Sequence, residues 1–194
     1  MSKQGFSLIE LLIAVAIVGL TAAIAVPHSQ SLRRHAAVRA ASAELRAIFR
    51  AARSRAISRA SNAGVKFTRA AAGWQYAIYD DGDGDGIRND DIQSGVDRRV
   101  TAPRTACSSP HLASISLSPS VVRDPDGDPI LPGASPVQFN RSTICSFSPL
   151  GQATPGTIYL TDNADQAYAV RVLAGTARVR LLRYNAKRRR WEDK

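Results

Sequence analysis

From Phe6 to Val26 the chain reads FSLIELLIAVAIVGLTAAIAV, an apolar run broken by Ser7, Thr21 and a single acid, Glu10. At about 1.5 Å of rise per residue, such a run covers the roughly 30 Å hydrocarbon core of a bilayer, so it predicts one membrane-spanning helix over 6–26. Beyond Pro27 the recurring apolar positions are Val38, Leu45, Phe49, Ala52, Ala56 and Ala63, at steps of 7, 4, 3, 4 and 7. These steps trace one stripe of an α-helix, so the helix continues over 27–63 with a seam to bury. From Gly64 the period falls to two: Val65 and Phe67 alternate with Lys66 and Thr68 and, after Gly73, Trp74, Tyr76 and Ile78 alternate with Gln75, Ala77 and Tyr79. That pattern predicts a hairpin. Further strands are expected at Val96–Thr101, Leu112–Leu117, Val137–Asn140, Thr143–Phe147, Thr157–Thr161, Ala167–Leu173 and Ala177–Tyr184, separated by Pro, Gly, Ser and Asp. The proline-rich stretch 108–135, with its segment DPDGDP, reads as a surface excursion with little regular structure. The expected fold class is α+β, a long N-terminal helix packed on an antiparallel β head over 64–194.

Composition changes this picture mainly through charge. The chain has 194 residues, enough for one head domain, and a formal net charge of +10. Between Arg33 and Arg69 there are ten Lys/Arg and one acid, Glu44. On the helix, Arg39, Arg46, Arg50 and Arg53 fall on one side of the seam and Arg34, Arg55 and Arg59 on the other. They are either a solvated face, an inter-subunit contact or a polyanion surface. Strand alternation in 177–184 puts Arg178, Arg180, Leu182 and Tyr184 on one face and Val179, Leu181 and Arg183 on the other. With Lys187, Arg188, Arg189, Arg190 and Trp191, the strand makes a basic, aromatic-tipped end suited to phosphate contact and base stacking, and DNA is a candidate partner. The bland alternative is a charged edge strand followed by a disordered tail.

The stretch 80–91 gathers six of the 16 acids. Asp81, Asp83 and Asp85, followed by Gly86, resemble the first half of a calcium loop, because glycines let several hard oxygens wrap one cation. Counting from Asp81, however, the twelfth position is Ile92, and no following helix is evident. The other reading is a solvated acidic hairpin loop, so Ca²⁺ is a candidate ligand and no other cofactor is expected. Cys107 and Cys145, the only cysteines, lie in no metal-binding spacing; they form either one disulfide or two separate buried thiols. No GxSxG, HExxH or GxxxxGK[ST] motif occurs, so no enzymatic activity is expected.

Gly5-Phe6-Ser7-Leu8-Ile9-Glu10-Leu11-Leu12 resembles the prepilin signature of the type IV pilin and type II secretion pseudopilin superfamily. The resemblance implies a leader, 1–5, removed by prepilin peptidase after Gly5, and methylation of Phe6 as the new N-terminus. It also implies an assembly role for Glu10, whose carboxylate would pair with the N-terminal amine of a neighbouring subunit. Gly19 and Pro27 fall where pilins carry a glycine and a proline. Ala52-Arg53, Arg55-Ala56, the aromatic strand before the acidic loop, Pro149-Leu150-Gly151 and Arg178-x-Arg180 are similar to the GspH/FimT branch. Ala177 stands where that branch carries a glycine. The branch implies a minor pseudopilin, non-enzymatic, working with other pseudopilins and an inner-membrane assembly platform. It would be a single-pass inner-membrane protein, its N-terminus cytoplasmic before processing and its head periplasmic. The alternative is a FimT-like minor pilin that binds DNA for uptake. Lys3 alone precedes the apolar run, against Arg33, Arg34 and Arg39 beyond it, so this orientation needs dedicated insertion machinery.

Overall fold

The computed structural model describes residues 7–107, 109, 111–164 and 166–193, without the side chains of residues 24–28. Gly5 and Phe6 therefore lie outside the described residues. A helix, α1 (Leu8–Arg59), is followed by β1 (Ala63–Ala70), β2 (Gly73–Asp80), α2 (Asn89–Ser94), β3 (Arg98–Arg99), β4 (Arg104–Thr105) and β5 (Ser114–Ile115). Then come β6 (Val137–Phe139), β7 (Ile144–Phe147), β8 (Gly156–Thr161), β9 (Ala167–Val172), β10 (Val179–Asn185) and β11 (Arg190–Asp193).

The 52 residues of α1 have two characters. Through Ala23 every described side chain is exposed, large apolar ones included: Leu8 is 77% exposed, Leu12 60% and Leu20 68%. Among the described residues no helix is long and apolar enough to cross a membrane. The expected span, 6–26, includes Phe6 and the side chains of residues 24–26, which lie outside them. From Val38 the seam is buried, and Val38, Leu45, Phe49, Ala52 and Ala56 are its members, as the spacing predicts. The helix stops at Arg59 rather than at 63: Ala60 adopts φ 50, a left-handed cap, and Ala63 already belongs to β1.

The strands form two antiparallel sheets. In the first the order is β3-β2-β1-β7, with β4 also on β2; in the second it is β11-β10-β9-β8-β5, with β6 also on β8. The inner faces of both sheets and the seam of α1 share one apolar core. Phe49 is its keystone, with ring centroids 6.1 Å from Phe67, 5.9 Å from Phe139 and 6.1 Å from Phe147. The helix is fastened to β2 by polar groups as well. Asp80 receives both Arg55 and, at 3.2 Å, Arg59, while the Tyr76 hydroxyl donates to Glu44 at 2.7 Å.

Among its described residues the excursion 108–135 lacks regular structure apart from β5 but has a packing role. Leu117, Val121 and Ile130 cover Tyr159, Leu182, Tyr184 and Trp191 on the outer face of the second sheet. The Arg171 guanidinium holds Asp126, and the Trp191 indole N–H donates to the Arg123 carbonyl at 2.9 Å. Val96–Thr101 and Leu112–Leu117 contract to two-residue strands, and α2 and β11 form where no element was expected.

The disulfide alternative is corrected: Cys107 and Cys145 are both free, buried thiols. Cys107 just follows β4 and Cys145 lies in β7, with β2 and β1 between those strands. Three strand spacings of about 4.8 Å far exceed the roughly 4.4–6.8 Å that a disulfide spans between Cα atoms. Burial pushes the Cys107 thiol up to about 11 and Cys145 well above its usual value, so neither is a nucleophile at neutral pH.

Because Phe49 contacts rings from both sheets, Phe49→Ala should cost about 3–5 kcal/mol. Urea unfolding of the full chain in detergent, followed by tryptophan fluorescence, measures it. A loss below about 1 kcal/mol, the typical cost of an average substitution, would remove Phe49 from that role.

Candidate functional site

Basic side chains of α1 and of the last hairpins meet where the helix lies against the start of β10. Arg46, Arg50 and Arg53 recur at steps of four and three, so they share one flank of the seam that buries Leu45, Phe49 and Ala52. On the other side, β9 and β10 are joined by a tight connection, closed where the Leu173 N–H donates to the Arg178 carbonyl at 3.0 Å. Ala177 adopts φ 49 in this connection and is buried. The left-handed conformation costs an alanine about 1–2 kcal/mol, so the backbone keeps a glycine-like turn while a methyl group enters the core.

The space between helix and turn is a cleft of about 290 Å³ lined by Arg46, Phe49, Arg50, Arg53, Ala177 and Arg178. A second cleft, of about 390 Å³, shares Arg46 and Arg178 with it and adds Arg180 and Asp193. Sequence reasoning set the helix arginines apart from the strand arginines; the structure brings Arg46, Arg178 and Arg180 together. A shared flank was legible in the 46, 50, 53 spacing, but its meeting with β10 depends on how α1 is rotated on the sheets. Val179 and Leu181 pack toward the core, while Leu182 and Tyr184 pack on the outer face, as strand alternation predicts. The Arg180 guanidinium donates twice to Asp193, at 3.1 and 2.5 Å.

The basic tail departs from expectation. Residues 190–193 form β11, paired with β10 through Tyr184–Trp191 and Asn185–Arg190. Lys187, Arg188 and Arg189 thus occupy the turn at the far end of β10 from Arg178, and Arg188 and Arg190 both contact Glu192. Trp191 is no stacking tip: its ring packs 5.8 Å from Tyr159 and 5.2 Å from Tyr184, and its N–H is satisfied. A half-buried indole whose ring is packed between two tyrosines and whose donor is spent is poorly placed to receive a base.

The acidic loop is a second built feature. Carboxylate oxygens of Asp81, Asp83 and Asp85 lie within 4.8 Å of one another. Asp81 organises the loop: Asn62 donates to it at 2.6 Å, and the N–H groups of Asp83, Gly84 and Gly86 at 3.1, 2.7 and 2.9 Å. Burial pushes the Asp81 carboxyl up, but these hydrogen bonds outweigh it and hold the group below its ordinary value. Burial and the neighbouring Asp83 and Asp91 carboxylates push Asp85 up against the opposing Arg88. A short helix, α2, does follow the loop, with Ile92 at the twelfth position. Sequence reading missed Asp97, which is buried and accepts the N–H groups of Gly82 at 3.2 Å and Arg88 at 2.9 Å. Gly82 permits that closure, since a Cβ there would stand 2.1 Å from the Val96 carbonyl.

Glu10 lies in the first turn of α1 with its side chain exposed, where the helix dipole favours a negative charge. A long helix whose second half packs on antiparallel sheets and whose first half stands clear, tipped by a lone carboxylate, defines a pilin-like subunit. The chain belongs to the family described as type II transport protein GspH, which it matches over residues 41–176, and residues 1–26 match the prokaryotic N-terminal methylation motif. This is a family of structural pilin-like proteins rather than of enzymes. No curated protein and no solved structure matches the chain.

Asp81→Ala should destabilise the head by about 2–3 kcal/mol, because it removes the shared acceptor of the Asn62 amide and three loop N–H groups. The pH dependence has a definite sign. A carboxyl lowered in the folded state stabilises fully above its unfolded value, 3.8, and loses that contribution as pH falls below it. The stability gap between wild type and Asp81→Asn, from urea unfolding, should therefore shrink as pH falls from 5 toward 3 (roughly the window of that titration).

Proposed function

We propose that the chain is a minor pseudopilin of a type II secretion filament. In this reading prepilin peptidase cuts after Gly5 and methylates Phe6, and the apolar half of α1 holds the subunit in the inner membrane with the head in the periplasm. Glu10 then pairs with a neighbouring subunit's N-terminal amine during assembly. The observation that carries the reading is the apolar first half of α1, exposed from Leu8 at 77% to Leu20 at 68%, with one acid in it. Exposed apolar surface on this scale needs lipid or neighbouring helices to cover it. A carboxylate at its edge needs a cationic partner, which no described residue of the head supplies. Domain 27–63 would then be a stalk joining the filament core to the head.

A second reading, a FimT-like minor pilin that binds DNA, is favoured by one observation, the meeting of Arg178, Arg180 and Arg46 in one cleft. Two others weigh against it: Arg180 is held by Asp193, and the half-buried Trp191 ring packs on Tyr159 and Tyr184. The acidic loop enters neither reading as a required calcium site, since Asp81 is already occupied by loop N–H groups.

Glu10→Ala should leave cleavage and membrane insertion intact but lower incorporation of the chain into the filament, by about tenfold for loss of a partly desolvated ion pair. Immunoblotting of sheared filaments against membrane fractions reads both quantities. Normal incorporation of the variant would remove Glu10 from the mechanism.

A further inference from the structure

Arg46, Arg50, Arg53 and Arg178 stand out among the basic residues of the head because they line one cleft, and none of the four takes part in an ion pair among the described residues. The salt bridges there involve Arg55, Arg59, Arg88, Arg171, Arg180, Arg188 and Arg190. Asp193, which lines the adjoining cleft, is engaged with Arg180. Four guanidinium groups thus converge on a cleft of about 290 Å³ with their mutual repulsion uncompensated. They sit on rigid elements, the core-facing half of α1 and a closed turn, so they are preorganised for an oxyanionic partner.

The surroundings select the kind of partner. Leu150 is 88% exposed, at a turn whose Gly151 takes φ 83. That turn rests against the cleft, for a Cβ on Gly151 would lie 3.3 Å from the Arg53 Nη2. Ile57, one helical turn beyond Arg53, is 52% exposed. Arginine beside exposed aliphatic side chains is the composition of a protein interface. A phosphodiester backbone gains nothing from Leu150, and no exposed aromatic side chain lines the cleft to receive a base.

We propose that this cleft docks an acidic segment of a neighbouring pilin-like subunit, its carboxylates on the four arginines and an apolar side chain of the same segment against Leu150. The proposal rests on the filament-subunit reading and adds to it a lateral contact between heads, separate from the helix contact at Glu10.

The test uses the full chain in cells that make the filament, with photoactivatable benzoylphenylalanine in place of Leu150. Illumination should yield an adduct with another pilin-like subunit, and mass spectrometry should place the cross-link in a peptide bearing at least two Asp or Glu residues. Arg46→Glu with Arg50→Glu should lower the yield at least about fivefold, the weight of two exposed ion pairs, and Arg46→Gln with Arg50→Gln by less. Changing the acids of the captured peptide to Lys should restore capture by the Arg→Glu variant. An unchanged yield in both double variants, or a cross-linked peptide without acids, would overturn the proposal. So would an adduct removed by nuclease, which would instead favour the DNA reading. Filament incorporation measured in the same cells separates the two failures. A wild-type chain that never enters the filament contradicts the subunit reading and the docking with it, whereas incorporation without an adduct contradicts the docking alone.

Discussion

The contact of Phe49 with aromatic rings from both sheets fixes the rest of the head. Phe67 and Phe147 come from the first sheet and Phe139 from the second, so one helical side chain ties three strands together. Burying that ring sets the rotation of α1 about its axis. Once the rotation is set, Arg46, Arg50 and Arg53 must emerge on the flank beside β10, and Arg55 and Arg59 on the flank beside Asp80. The arrangement of charge is thus a consequence of the core.

The same helix meets two environments. Its second half is amphipathic and surrenders its seam to the head; its first half is apolar all round and finds no partner there. A helix hydrophobic on every side belongs in lipid or in a bundle, so on the proposed function continuity through Pro27 would make α1 a strut between head and filament core.

The helix, its seam and the long hairpin were legible because local period and burial agree there. Val65 and Phe67 alternate because one face of β1 is buried, and Val38 to Ala56 recur because one stripe of α1 is. Of the short strands, β3 and β5 were legible only as longer stretches and β4 not at all, since two residues carry no period and the strands exist by pairing with β2 and β8. Residues 187–193 read as a charged tail, yet Trp191 finds Tyr159 and Tyr184 and anchors β11 through long-range packing that no local pattern announces. The acidic loop was visible as a cluster, but Asp97, which closes it, looked like one more residue of a strand. Of the cleft, the sequence displayed each half: the spacing of Arg46, Arg50 and Arg53, and the Arg178-x-Arg180 pair. Their meeting depends on the two-sheet topology.

On the proposed function, the N-terminus is the part of the chain that commits the rest to a filament. Intact-mass and peptide mass spectrometry of the protein purified from membranes that contain prepilin peptidase tests that most directly. It should find a chain beginning at Phe6 with one added methyl group on its amine; a chain that keeps Met1 and its first five residues under those conditions would contradict it.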